Sequence, residues 1–176
     1  MDDRPLDARL AAPAQPTGTD AQIDDAVELL SFSLAGQDFA VDIMLVREIR
    51  NWSEPTPLPL TPPYVLGVIN LRGTVLPILD LSQRLSVADG PATAQPVYVV
   101  LNAGDRLFGV TVDAVSDILT VPRAALQEPP DMGERVDTFV SHLIVEEDRM
   151  IRVLRAEDLA PKSGAQSDSK HRPSAA

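Results

Sequence analysis

The chain has 176 residues and a mass of 19.0 kDa, which fits one domain of ordinary size or two small ones that share a core. Its 15 Lys and Arg against 26 Asp and Glu give a net charge of −11, which argues against a nucleic-acid partner because phosphate repels an acidic surface. The absence of cysteine excludes a disulfide framework and thiolate chemistry. No apolar run reaches the ~20 residues of a membrane span and the acidic start is unlike a signal peptide, so we expect a cytoplasmic protein without direct membrane insertion.

The composition divides the chain into a central block and two tails. Residues 1–27 mix proline with Ala, Asp and Thr and show almost no apolar periodicity, and residues 161–176 are again small and polar. Such segments bury too little apolar surface to offset the entropy of ordering, so we predict disordered tails at both ends. The block between them, residues 28–160, is predicted to form the folded domain.

Short apolar runs between turn residues are typical of β-strands, and they recur throughout this block. Arg72-Gly73 and residues 102–105 each join two such runs, as hairpin turns do, and residues 146–149 join two more. Residues 43–49 fit either a short helix or a strand. The five prolines of residues 55–63 predict an edge strand or a shaped loop, because proline fixes φ and lacks a backbone donor. The predicted strands are residues 28–34, 39–42, 67–71, 74–79, 97–101, 107–112, 113–121, 139–145 and 150–154.

Helices are predicted only as single turns. Asp80 suits the N-cap position of one helical turn over residues 80–85, and Glu157 and Leu159 fit a second turn that closes the domain. Many short strands without a long amphipathic helix favour an all-β fold with a few short helices, arranged as one barrel or a pair of barrels.

The sequence offers little for catalysis. His142 lies in a predicted strand and His171 in the C-terminal tail, and neither has the neighbours that a general base or a zinc ligand needs. Asp113 and Asp117 are four residues apart, which a solvated strand face explains. There is no glycine-rich phosphate loop and no calcium loop. We therefore predict that the protein is not an enzyme and binds no metal or cofactor.

Arg72 is the most unusual residue, because its charge stands at the turn of the otherwise apolar run of residues 65–81. It is either a solvated hairpin residue or an anchor for a partner, since arginine is enriched among the residues that dominate binding energy at interfaces. Glu48 is its natural partner, because it too interrupts an apolar stretch.

Several segments resemble the CheW family, the adaptor proteins of bacterial chemotaxis arrays. GVINLRGTVLPILDL at residues 67–81 is similar to the family's hallmark segment, and FSLAGQDFAVDIMLVREIR at residues 32–50 is similar to its opening strands and V-x-E-I motif. Residues 102–119 are similar to the family's second-half pattern. The resemblance extends over residues 28–160.

This resemblance implies two interlocked five-stranded β-barrel subdomains, with the chain passing between them. It also implies a non-enzymatic adaptor that binds the cytoplasmic tip of chemoreceptors and the regulatory domain of the chemotaxis histidine kinase. By their positions in the family's motifs, the expected receptor-binding residues are Val46, Glu48, Ile49, Asn70 and Arg72, and the expected kinase-binding residues are Pro55, Leu58 and Gly67.

Other functions stay open at the level of the sequence. A CheW-like scaffold in a receptor–kinase pathway other than chemotaxis would carry the same motifs. A free regulatory domain of a kinase would share the fold, and a small-ligand-binding β-barrel would need a cavity with convergent polar groups. An oligonucleotide-binding barrel would require a basic face and more aromatic residues than the 4% present.

Overall fold

The computed structural model describes residues 25–87, 95–131 and 138–162. Of the predicted tails, residues 25–27 and 161–162 lie within the described residues and the rest lies outside them; Asp25 is in a turn, and residues 26 and 27 belong to the first strand rather than to a tail. The chain forms ten strands and two short helices over these ranges, with 3₁₀ turns at Ile43–Leu45 and Arg123–Ala125. The strands are β1 (Ala26–Leu34), β2 (Gln37–Asp42), β3 (Val46–Asn51), β4 (Val65–Leu71), β5 (Thr74–Asp80), β6 (Val97–Ala103), β7 (Arg106–Val112), β8 (Ala114–Pro122), β9 (Val140–Glu146) and β10 (Arg149–Leu154), and the helices are α1 (Leu81–Leu85) and α2 (Ala156–Leu159).

The strands form two five-stranded sheets, which confirms the predicted mostly-β fold with two halves. Sheet A has the strand order β8-β1-β2-β10-β9, and sheet B has the order β3-β6-β7-β5-β4. The chain enters sheet A, crosses to sheet B after β2 and returns after β7, so the two halves interlock. The sheets are not closed barrels. Among the described residues, only two isolated bridges add to the strand pairings, Thr56 with Val68 beside sheet B and Gln127 with Leu143 beside sheet A.

The ambiguous segment of residues 43–49 contains both predicted structures. A 3₁₀ turn covers Ile43–Leu45, where the Asp42 carboxylate accepts a hydrogen bond from the Met44 amide at 2.9 Å, and β3 follows at once. Asp80 caps α1 as predicted, because its carboxylate accepts from the Gln83 amide at 3.2 Å. The first strand begins two residues before the predicted start of the domain, at Ala26.

The chain is a tandem repeat of one five-stranded unit, which the sequence analysis did not detect. Each strand of β1 to β5 has its counterpart five strands later, with the same antiparallel and parallel pairings, and α2 follows β10 as α1 follows β5. Even the bulges correspond: the register shifts at Glu48 on β3 and at Asp117 on β8. Each sheet combines the first two strands of one repeat with the last three of the other.

The largest apolar cluster, which we call the shared core, lies between the two sheets. It contains side chains of both, among them Phe32 and Phe39 from sheet A and Leu101 and Phe108 from sheet B. Two smaller clusters each belong to one sheet. Because the largest cluster contains side chains of both sheets, we expect the two sheets to unfold together.

Replacing Leu101 with Ala tests this cooperativity. Leu101 is fully buried in the shared core, so the cavity should lower the free energy of unfolding by about 2–5 kcal/mol. Far-UV circular dichroism reports on all strands and Trp52 fluorescence reports on sheet B, and both urea transitions should shift together. Val145→Ala, at an exposed position of β9, should change stability by less than about 0.5 kcal/mol. Two separated transitions would show that the sheets fold independently.

Candidate docking surfaces

The turn between β4 and β5 holds Arg72 in a defined position. Arg72 and Gly73 both have positive φ, 50° and 85°, between the paired residues Leu71 and Thr74. This is the two-residue hairpin turn that matches the natural twist of the strands. The Asn70 side-chain oxygen accepts a hydrogen bond from the Gly73 amide at 2.8 Å, which stabilises the turn. The structure therefore assigns Asn70 a local role in fixing the tip that carries Arg72.

Glu48 on β3 forms an ion pair with Arg72. Its carboxylate lies 3.2 Å from Arg72 Nη1 and 3.5 Å from Arg50 Nη1. The Arg72 side chain is 80% exposed, whereas that of Glu48 is only 19% exposed. The pair therefore holds an exposed guanidinium beside a half-buried carboxylate. The partnership that the sequence suggested is present in the structure. Such a pair contributes little stability at an exposed site, so its value is in positioning the guanidinium.

The edge strand β3 and the 3₁₀ turn before it also carry apolar side chains. Val46 packs against the shared core, and Ile49, opposite the core residue Val99, is 46% exposed. Met44, in the preceding 3₁₀ turn, is 83% exposed. Ile118 occupies on β8 the position that Ile49 occupies on β3, and it is also half-exposed. Sequence reasoning missed Met44 and Ile118, and the repeat was the signal that could have found the latter.

The proline-rich segment runs beside β4, and Gly67 allows its close approach. Thr56 and Val68 exchange two backbone hydrogen bonds of 2.9 Å. Gly67 has φ of 150°, and a Cβ atom there would lie 2.2 Å from the Thr56 carbonyl oxygen. Gly67 and Pro55 are both buried, so these two expected kinase-binding residues could support a partner only by shaping the loop above them. Leu58 is 45% exposed and Leu60 is fully exposed.

A groove of about 530 Å³ lies beside Leu58 and Leu60. Its walls come from the proline-rich segment, from the start of β4, from the β6–β7 turn and from the end of the described chain at Pro161 and Lys162. Most of its lining is apolar, while Arg106 and Asp105 stand at the turn. We call this feature the Leu58 groove. An apolar groove with a few charged groups at its border is a common form of binding site.

Tyr98 fixes the start of the proline-rich segment. Its hydroxyl donates a hydrogen bond to the Ser53 carbonyl, and its ring lies 5.2 Å from that of Trp52. Burial raises the pKa of the Tyr98 hydroxyl, so the group stays protonated and keeps donating across the neutral range.

The other polar residues that the sequence singled out have local structural surroundings. Asp113 accepts a hydrogen bond from the Ala35 amide at 2.8 Å, and the Asp117 backbone exchanges hydrogen bonds with the Ser31 hydroxyl. His142 borders a cavity of about 270 Å³ under sheet A. Over the described ranges, no three His, Asp or Glu side chains are grouped so that they could hold a metal ion. In the same ranges, no helix has the length and apolar character needed to cross a bilayer.

The expected site residues thus fall into two groups. Val46, Glu48, Ile49, Asn70 and Arg72 lie together around β3 and the tip of the β4–β5 hairpin. Pro55, Leu58 and Gly67 lie around the proline-rich segment, at the other end of β4. Two surfaces that combine exposed apolar side chains with charged ones are typical of a protein-binding module.

Comparisons with known proteins identify which module it is. The CheW-like domain family matches residues 28–163. The chain is 44% identical over 135 residues to "Chemotaxis protein CheW" of Rhizobium meliloti (strain 1021), covering 76% of this chain and 87% of that protein. It is 31% identical over 149 residues to the protein of the same name from Bacillus subtilis (strain 168), covering 84% and 95%.

A solved structure has the same fold. The crystal structure of scaffolding protein TtCheW from Thermoanaerobacter tengcongensis superposes with a TM-score of 0.70 at 26% identity, covering 76% of this chain and 86% of that one. The chain belongs to the CheW-like domain family. Its function class is that of a chemotaxis coupling adaptor.

Replacing Gly67 with Ala should displace the proline-rich segment. The added Cβ would meet the Thr56 carbonyl oxygen at 2.2 Å in a backbone conformation that L-residues rarely adopt. We expect a loss of about 1–3 kcal/mol and faster amide exchange at Thr56 and Val68. Gly36→Ala is the matched control, because Gly36 also has positive φ but no atom within 4 Å. Unchanged exchange at Thr56 in Gly67→Ala would contradict the close approach.

Proposed function

We propose that this adaptor couples chemoreceptors to the chemotaxis histidine kinase by holding both at once, in the cytoplasm and without catalysis of its own. The receptor tip binds the receptor-facing surface, formed by Val46, Glu48, Ile49, Asn70 and Arg72. The regulatory domain of the kinase binds the Leu58 groove, whose shape depends on Pro55 and Gly67.

The ion pair of Arg72 and Glu48 is the observation that carries the receptor-facing assignment. A guanidinium held 3.2 Å from a half-buried carboxylate is ordered before a partner arrives, so less side-chain entropy is lost on binding. Ile49 and Met44 supply exposed apolar area next to it. A helical hairpin with an apolar stripe and a polar or acidic flank fits this combination.

The Leu58 groove supports a second, separate partner. Leu58 and Leu60 project from the proline-rich segment, and the groove beside them is mostly apolar. Transient signalling contacts need only a modest area with a few anchors, and two exposed leucines beside a groove of this size meet that need. Apolar contact with charges at the border suits a folded regulatory domain.

Both surfaces are built on β4, which lets one strand support two partners. Gly67 and Val68 carry the proline-rich segment at one end, and Asn70 and Leu71 lead into the arginine turn at the other. The two sites are only a few residues apart along the strand, yet they share none of their exposed side chains. Simultaneous occupancy is the mechanism of coupling that this arrangement favours.

Arg72→Glu tests the receptor-facing surface. We expect at least a tenfold loss of affinity for receptor cytoplasmic fragments, because a glutamate at position 72 would repel Glu48 and remove the cation. The fold should be unchanged, since the Arg72 side chain is 80% exposed. Titration calorimetry with the fragments measures the loss. Arg123→Glu, at another exposed ion pair with Asp25, should leave the affinity unchanged.

The double variant Glu48→Arg and Arg72→Glu separates pairing from simple charge. It restores an opposite pair in reversed order, so binding should recover in part. Full recovery is not expected, because an arginine at position 48 would then lie next to the like charge of Arg50. Strictly additive losses in the double-mutant cycle would contradict direct pairing as the basis of recognition.

Leu58→Glu tests the kinase-facing groove. A charge at this exposed apolar position should lower affinity for the kinase regulatory domain at least tenfold, because it replaces an apolar anchor with a carboxylate that loses water on binding. Affinity for receptor fragments should stay within about twofold, since the other surface is untouched. Val145→Glu places the same charge at an exposed apolar position of sheet A and is the control. Equal losses for both partners would overturn the division into two surfaces.

A further inference from the structure

Arg84 on α1 joins the two sheets at a place that the two docking surfaces do not include. Its guanidinium carbon lies 4.5 Å from the centre of the Tyr64 ring and 4.7 Å from that of the Phe139 ring. Tyr64 immediately precedes β4 of sheet B, and Phe139 immediately precedes β9 of sheet A. One cation therefore packs on aromatic rings from both halves of the molecule.

The same guanidinium binds the end of α2. Arg84 Nη2 donates to the Asp158 carbonyl at 2.9 Å, and Nε donates to the Leu159 carbonyl at 3.3 Å. The last carbonyls of a helix have no partner within the helix, so these two bonds satisfy groups that would otherwise need water. The planar fork of arginine meets two neighbouring carbonyls at once, which the single ammonium of lysine does not.

The Arg84 contacts with Tyr64 and with the end of α2 both involve residues that are close in sequence to the walls of the Leu58 groove. Pro62 and Val65, on either side of Tyr64, line one wall, and Pro161, two residues after Leu159, lines another. The Pro161 carbonyl also accepts a hydrogen bond from Arg106 Nη1 at 3.3 Å. Arg84 thus holds the two walls at a fixed separation although it does not line the groove itself.

We infer that Arg84 is a positioning residue for the Leu58 groove, an inference that rests on the proposed function for the identity of the partner. Arg84 fixes the segment of residues 158–162 against sheet B, so the groove is formed before the kinase domain binds. A preformed groove spares the cost of ordering this wall on binding, and that difference appears as affinity.

Arg84→Lys is the informative change, because it keeps the charge and most of the aliphatic stem. Amide exchange of residues 158–162 should become about tenfold faster, and affinity for the kinase regulatory domain should fall about tenfold, because one cation–π arrangement and one carbonyl bond are lost. Receptor affinity should stay within about twofold of wild type. Arg149→Lys is the control, since Arg149 pairs with Asp38 of sheet A at 3.2 Å; it should leave both the exchange of residues 158–162 and the kinase affinity unchanged.

Phe139→Leu keeps an apolar side chain but removes one of the two rings, and Phe139 does not line the groove. It therefore tests the same contact by amide exchange and kinase affinity if Arg84→Lys folds poorly. Its effect on exchange should be less than additive with that of Arg84→Lys, because both act on one contact. Unchanged exchange of residues 158–162, or faster exchange with wild-type kinase affinity, would overturn the inference. If Leu58→Glu leaves kinase binding intact, the proposed docking site fails instead, and the exchange rates alone then decide the role of Arg84.

Discussion

The exchange of strands between two repeats is the constraint on which the molecule depends. Neither sheet can be completed by one half of the chain, because β1 and β2 pair with strands that come more than 70 residues later. The apolar faces left by this exchange meet in the shared core, where Phe39 and its counterpart Phe108 come from opposite sheets. Burial of these side chains stabilises both sheets together, and it fixes the relative position of the edges that carry the proposed docking surfaces.

The same constraint explains why the docking surfaces lie at edges and turns. Central strands are covered by neighbours, so a partner can reach only edge strands such as β3 and the loops beside β4. The edge of β3 is protected from uncontrolled pairing by charged side chains, Arg47, Glu48 and Arg50, which are interspersed with apolar ones. One of these charges, Glu48, also orients Arg72. Protection of the edge and the orientation of Arg72 therefore use the same carboxylate.

Local features were predictable from the sequence, and most long-range contacts were not. The Arg72-Gly73 turn and the Asp80 cap depend on neighbouring residues, and both were predicted correctly. The pairing of Glu48 with Arg72 was predictable because each charge interrupts an apolar run. By contrast, the burial of Gly67 follows from the approach of Thr56, and the position of Arg84 follows from the packing of α2. Such contacts join segments that only the folded chain brings together, and neither composition nor periodicity encodes them.

The comparison of the two repeats indicates why sheet B, and not sheet A, carries the charged pair. By register, Asp117 corresponds to Glu48 and Glu147 corresponds to Arg72. The turn at Glu147 keeps the positive φ found at Arg72, but Asp148 lacks the positive φ of Gly73, and the charge of the first turn residue is reversed. Both corresponding residues are acidic, so they cannot form the ion pair that Glu48 and Arg72 form in sheet B. The two repeats thus carry a cation at one hairpin turn and an anion at the corresponding turn, so the charged pair distinguishes two halves that share one strand arrangement.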